Sequence, residues 1–151
     1  MSQLLHATIT NIALRAYYTV FNAHPHDYPE SFYEEMMQLE LDALGAICQT
    51  QVRYTIKYKN IKIGVHITDV ELGNTVVLEL KVQPQLRPPH EAQLISNLKV
   101  SKKQVGLLLN FGGEKPEYRR KVFTGITDFV PIVWDPKEPD ANLIEPALAQ
   151  M

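Results

Sequence analysis

The sequence predicts an α/β fold in which a mixed β-sheet is flanked by helices, in the order α-α-β-β-β-α-β. Three observations predict it. The first 44 residues carry helical apolar spacing in two segments. Three runs of strand formers follow between residues 47 and 83. A proline-marked crossover then leads through a third helix to VGLLLNFG, residues 105 to 112, a continuous apolar run typical of a strand covered on both faces.

Each element has its own signal. Over residues 3 to 22, Leu5, Ile9, Ile12, Ala13, Ala16, Val20 and Phe21 follow the i, i+3, i+4 rule of an amphipathic helix. NAHPHDYP interrupts it with two prolines. Residues 30 to 44 give a second helix, stopped by Gly45. In residues 47 to 58, Val52, Tyr54 and Ile56 alternate onto one face of a strand. Residues 61 to 71 and 75 to 83 form a hairpin about Gly73-Asn74-Thr75. The third helix is expected over residues 89 to 100, and a last short strand over 119 to 123. The tail, with Pro131, Pro136, Pro139 and Pro146, reads as an irregular extension. The expected division is therefore a domain over residues 1–123 and an extension over 124–151.

Composition narrows the function classes. Apolar residues make up 45% and charged residues 21%, which excludes a disordered chain. The single cysteine, Cys48, excludes an internal disulfide and a cysteine-ligated iron–sulfur or zinc site within one chain. It points to a reducing, cytoplasmic setting. The first 18 residues lack a basic lead and a long apolar run, so neither a signal peptide nor a membrane-spanning helix is expected. The net charge of −2 conceals a basic block: residues 51 to 123 sum to +7, between segments of −5 and −4. Such a block suits a polyanion, and equally an ordinary mixed surface. There is no Walker A loop, dinucleotide fingerprint or G-x-S-x-G elbow.

The hairpin TDVELGNTVVLELKV places charges where a buried strand is expected. With a three-residue loop, Leu72 faces Val76, Val70 faces Leu78 and Asp69 faces Glu79. Opposed residues have Cβ atoms roughly 5 Å apart, and Lys81, two residues beyond Glu79, shares its face. Two close carboxylates do not both ionise cheaply away from water, so a proton or a cation belongs between them. Lys81 offers one charge, and a hard divalent ion such as Mg²⁺ or Mn²⁺ offers more. The plainer alternative is a solvent-facing hairpin with cross-strand ion pairs.

Other residues carry weaker signals. Asp27 and Glu30 have the spacing of a capping box, with Pro29 in the first turn. Gln93 falls at the border of the apolar face set by Leu94 and Leu98. His24 and His26 are a histidine pair without a third ligand. Tyr17, Tyr18, Tyr28, Tyr33 and Cys48 read as packing residues.

Taken together, these stretches resemble the GxxExxY family, a branch of the PD-(D/E)XK nuclease-like superfamily. PESFYEEMMQLEL is similar to that family's E-S-x-Y-E-x-A-L helix. ITDVELGNTVVLELKV has its Asp, ten-residue spacing and E-L-K. HEAQLISNLKVS has its H-E-A-Q-L helix, and VGLLLNFG its following strand. The likeness runs from about residue 9 to residue 123, and its motif glycine is Asp27 here. The resemblance implies a restriction-endonuclease-like fold and a Mg²⁺- or Mn²⁺-dependent hydrolysis of DNA phosphodiester bonds. It implies Asp69, Glu79 and the Leu80 carbonyl as metal ligands, with Glu30 acting through a water or a second ion. Lys81 would orient or help deprotonate the attacking water, and Gln93 would contact the cluster. Lys57, Lys59, Lys62, Arg87, Lys99, Lys102 and Lys103 in the basic block are the expected backbone contacts to DNA. A homodimer or a partner protein fits duplex cutting. The alternative is a module of a repair or defence complex that binds nucleic acid without cutting it.

Overall fold

The computed structural model describes residues 6–23, 27–123 and 133–134. Its elements are α1 (Ala7–Ala23), α2 (Glu30–Ala43), β1 (Cys48–Tyr58), β2 (Ile61–Leu72), β3 (Val76–Lys81), α3 (Pro88–Ser101), β4 (Val105–Asn110), β5 (Glu117–Val122) and β6 (Val133–Trp134). The sheet order is β5-β4-β3-β2-β1-β6. The β3–β4 pair is parallel and the other neighbours are antiparallel, so the sheet is mixed as expected. β6 lies within the tail expected to be irregular and pairs with Thr55 and Ile56 of β1. The rest of the expected extension, and His24 and His26, lie outside the described residues.

Apolar periodicity sends each helix to one sheet face. α1 and α2 cover one side, where Ala13, Ala16, Tyr17, Val20, Tyr33, Met37 and Leu41 pack against Val70, Leu72, Leu78, Leu80, Leu107 and Leu109. α3 covers the other with Leu94 and Leu98 against Val77, Leu86 and Leu108. β3 and β4 are sandwiched between them, and all six residues of β4 are buried. Full burial of each such leucine contributes about 1.5–3 kcal/mol.

The turns follow from backbone preferences. Lys59 and Asn60, both at positive φ, close the β1–β2 hairpin in a two-residue loop between Tyr58 and Ile61. The β2–β3 hairpin has the expected three-residue loop, with Leu72 opposite Val76 and Val70 opposite Leu78. Gly45 follows α2 at φ +78 and donates its N–H to Asp42 O. The N-terminus of α2 departs from expectation. The helix begins at Glu30 directly after Pro29, and no side chain caps it. Asp27 therefore lies too far upstream to serve as the cap, and Glu30 is free for another role.

β2 carries the irregularity that shapes the site. Its ladder with β3 stops at Val70–Leu78, so Asp69 and Glu79 are not ladder partners. Its ladder with β1 omits Gln51–Asp69 although Thr50–Val70 and Val52–Thr68 keep one register. Gln51 sits at φ +52. Thr68 Oγ1 and Glu71 Oε2, three residues apart, meet at 2.7 Å. A regular strand sends residues three apart to opposite faces, so the alternation breaks between them.

Candidate metal centre and active site

The broken alternation turns Asp69 toward two neighbours. Its Oδ2 accepts the Leu80 N–H at 2.9 Å, where a main-chain carbonyl of β2 stands in a regular ladder. Its carboxyl also shares a hydrogen bond with Glu30 at the start of α2. Glu79, in the middle of β3, is 2% exposed and lies under α3. Its Oε2 is 3.5 Å from Lys81 Nζ, and its Oε1 accepts the Asn97 amide at 2.6 Å. Lys81 Nζ donates to Gln93 Oε1 at 2.7 Å. The structure thus brings Glu30, Asp69, Glu79, Lys81 and Gln93 together.

Three carboxyls meet one ammonium, and the acidities show it. Burial raises the Asp69 carboxyl above the usual range, against the lowering effect of the Leu80 N–H and Lys81. Burial, then the charge of Asp69, pushes Glu79 up to about 7, while Lys81 and Asn97 pull it back. Glu30 is raised by burial and by Asp69. As a residue it stands exposed at the helix end, but its carboxyl is shielded against Asp69. A cluster of shielded carboxylate oxygens suits a hard divalent cation. Among the described residues no three His, Cys, Asp or Glu side chains are grouped so that they alone could hold a metal ion.

Two participants escaped the sequence reading. Asn97 is 1% exposed and lies one helical turn beyond Gln93. The signal was that i, i+4 spacing, which puts both amides on one face of α3. His66 Nε2 lies 2.6 Å from Asn97 Oδ1. No local pattern marks His66, because its partner is 31 residues away.

The seven basic residues expected to contact DNA do not share one situation. Lys59, Lys62, Arg87 and Lys102 are exposed. Lys99 is half-buried over the Phe123 ring. Lys57 is 3% exposed, which removes it from an accessible basic surface. Lys103 is held 2.9 Å from the buried Glu71, which also accepts from Tyr54 and Thr68. In this arrangement its charge faces that carboxylate. Tyr17 and Tyr33 are core residues. Tyr17 donates to Asn110 O and accepts from Glu117 N, and Tyr33 stacks on Phe111. Cys48 is half-buried beside the same core.

Among the described residues, no helix is long and apolar enough to cross a membrane. No curated protein and no solved structure matches the chain. Residues 7–121, from α1 almost to the end of β5 and including every element of the cluster, match the family described as the PD-(D/E)XK nuclease superfamily. The chain belongs to that superfamily.

Proposed function

We propose that this protein is a Mg²⁺- or Mn²⁺-dependent nuclease that hydrolyses DNA phosphodiester bonds, of the GxxExxY branch. The observation that carries the reading is the shielded cluster of Glu30, Asp69 and Glu79 against a single lysine. Asp69, Glu79 and the Leu80 carbonyl would hold the cation, with Glu30 reaching it through a water or holding a second ion. A divalent cation there neutralises phosphate oxygens and increases the acidity of water. Lys81, steered by Gln93, orients the attacking water and sets positive charge beside the scissile phosphate. The backbone at Asp27 supports the branch. Its φ of +82 is the left-handed shape for which the motif glycine is suited, and Asp tolerates it better than most residues.

Lys59, Lys62, Arg87, Lys99 and Lys102 are the proposed contacts to the DNA backbone. Cutting both strands of a duplex takes two such centres, supplied by a homodimer or a partner protein. The single cysteine favours a cytoplasmic setting.

A cleavage assay tests the function. Linear and circular, single- and double-stranded DNA, and RNA, are incubated with Mg²⁺, Mn²⁺ or EDTA, beside a Lys81→Ala protein purified in parallel. Cation-dependent cutting of DNA that the variant lacks is expected. Metal-independent DNA binding with no cutting of any substrate would favour the non-cleaving module.

A further inference from the structure

We propose that Asn97 and His66 are positioning residues that fix the Glu79 carboxylate, one oxygen held by the amide and the other presented to the cation. The inference rests on the metal-centre reading above and extends it to two side chains outside the ligand set. Asn97 Nδ2 donates to Glu79 Oε1 at 2.6 Å, and Asn97 Oδ1 lies 2.6 Å from His66 Nε2. The amide nitrogen is the donor to Glu79, so the amide oxygen faces His66. His66 Nε2 must then carry its proton. The chain has one direction: imidazole N–H, amide, carboxylate.

That direction assigns work to the two Glu79 oxygens. Oε1 is committed to Asn97. Oε2 is the oxygen that faces Lys81 Nζ. α3 meets both charged residues of β3 with amides one turn apart. Gln93 offers its oxygen to the Lys81 ammonium, and Asn97 offers its nitrogen to the Glu79 carboxylate. β2 anchors the far end through His66, so three elements fix one ligand. A buried carboxylate with free rotation would present either oxygen, or both, and lose entropy on binding. Outer partners that orient a ligand typically carry 10–100-fold in metal affinity.

The test titrates Mn²⁺ into the full chain by calorimetry at pH 8. It compares wild type with Asn97→Ala, His66→Ala and His66→Gln, whose amide restores a donor. Tyr54→Phe is the control, because it removes a buried hydrogen bond from the neighbouring Glu71 rather than from the centre. Asn97→Ala and His66→Ala are expected to weaken Mn²⁺ binding about 10–100-fold. His66→Gln is expected to recover part of the loss, and Tyr54→Phe to bind as wild type.

A second readout needs no cation. The His66 Nε2–H signal in the NMR spectrum is expected to be protected from exchange in wild type and unprotected in Asn97→Ala. Wild-type affinity in either alanine variant overturns the proposal, as does an equal loss in Tyr54→Phe. A wild-type protein that binds no Mn²⁺ overturns the metal-centre reading; a His66 N–H that is also unprotected overturns the proposal with it, and a protected one shows that the metal-centre reading alone failed. An unprotected one in a protein that binds Mn²⁺ overturns the positioning role alone.

Discussion

Glu79 is 2% exposed beside a second carboxyl, and that placement sets the pH behaviour of the metal-free protein. Its pKa rises from 4.5 to about 7 on folding, so the folded state binds more protons than the unfolded state between those values. Stability therefore falls as pH rises through that window and levels off above it. The shift corresponds to on the order of 3 kcal/mol, and the raised Asp69 and Glu30 act in the same direction. Glu79→Gln keeps the shape and the bond from Asn97 while removing the charge. At pH 8 it is expected to unfold at higher urea than metal-free wild type, with the difference fading toward pH 4. An equal gain at both pH values would separate the effect from ionisation. Glu30→Ala is expected to abolish cleavage while costing well under the ~1 kcal/mol of a lost cap, since Glu30 caps nothing. Urea titration and the cleavage assay check it together. The residue types of this cluster were legible in the hairpin, because Asp69, Glu79 and Lys81 interrupt strand-forming runs. Asn97 and His66 were not, because a buried polar residue is marked only by its partner in space.

At the scale of elements, the site depends on how β3 is held. Asn110 is fully buried at the end of β4. Its side chain takes the Gln83 N–H and donates to the Gln83 carbonyl, each at 2.9 Å. Gly112 continues this contact. A Cβ there would lie 2.5 Å from Gln83 N and 2.6 Å from Gln83 O, both backbone atoms that cannot step aside alone. Gly112→Ala is expected to destabilise by about 1–3 kcal/mol, read as a lower melting temperature; an unchanged melting temperature would show that the chain relaxes there. The lengths and order of the elements followed from periodicity and from the turns at Gly45, Lys59-Asn60 and Gly73. The break at Asp69 did not, because it leaves the flanking β1–β2 register intact and so shifts no apolar position. The capping-box spacing at Asp27 misled because Pro29 delays the helix by the few residues that set Glu30 free.

Across the whole molecule, the basic block divides by exposure rather than by sequence position. Charge reversal at Lys59, Lys62 or Arg87 is expected to weaken DNA binding and to flatten its salt dependence by about one counterion per lost contact. Lys103→Ala is expected instead to destabilise the fold, because it strands the buried Glu71 carboxylate. Composition exposed the charge asymmetry but not which lysines the sheet would enclose. The division at residue 123 is also proposed rather than seen, and β6 ties part of the tail to β1.

Whether the buried carboxylates are a divalent-cation site is decided by Mn²⁺ calorimetry on wild type, Asp69→Ala, Glu79→Ala and Lys81→Ala. Wild type and Lys81→Ala are expected to bind Mn²⁺, and neither carboxylate variant is. Undiminished binding by Asp69→Ala and Glu79→Ala would contradict a cation site there.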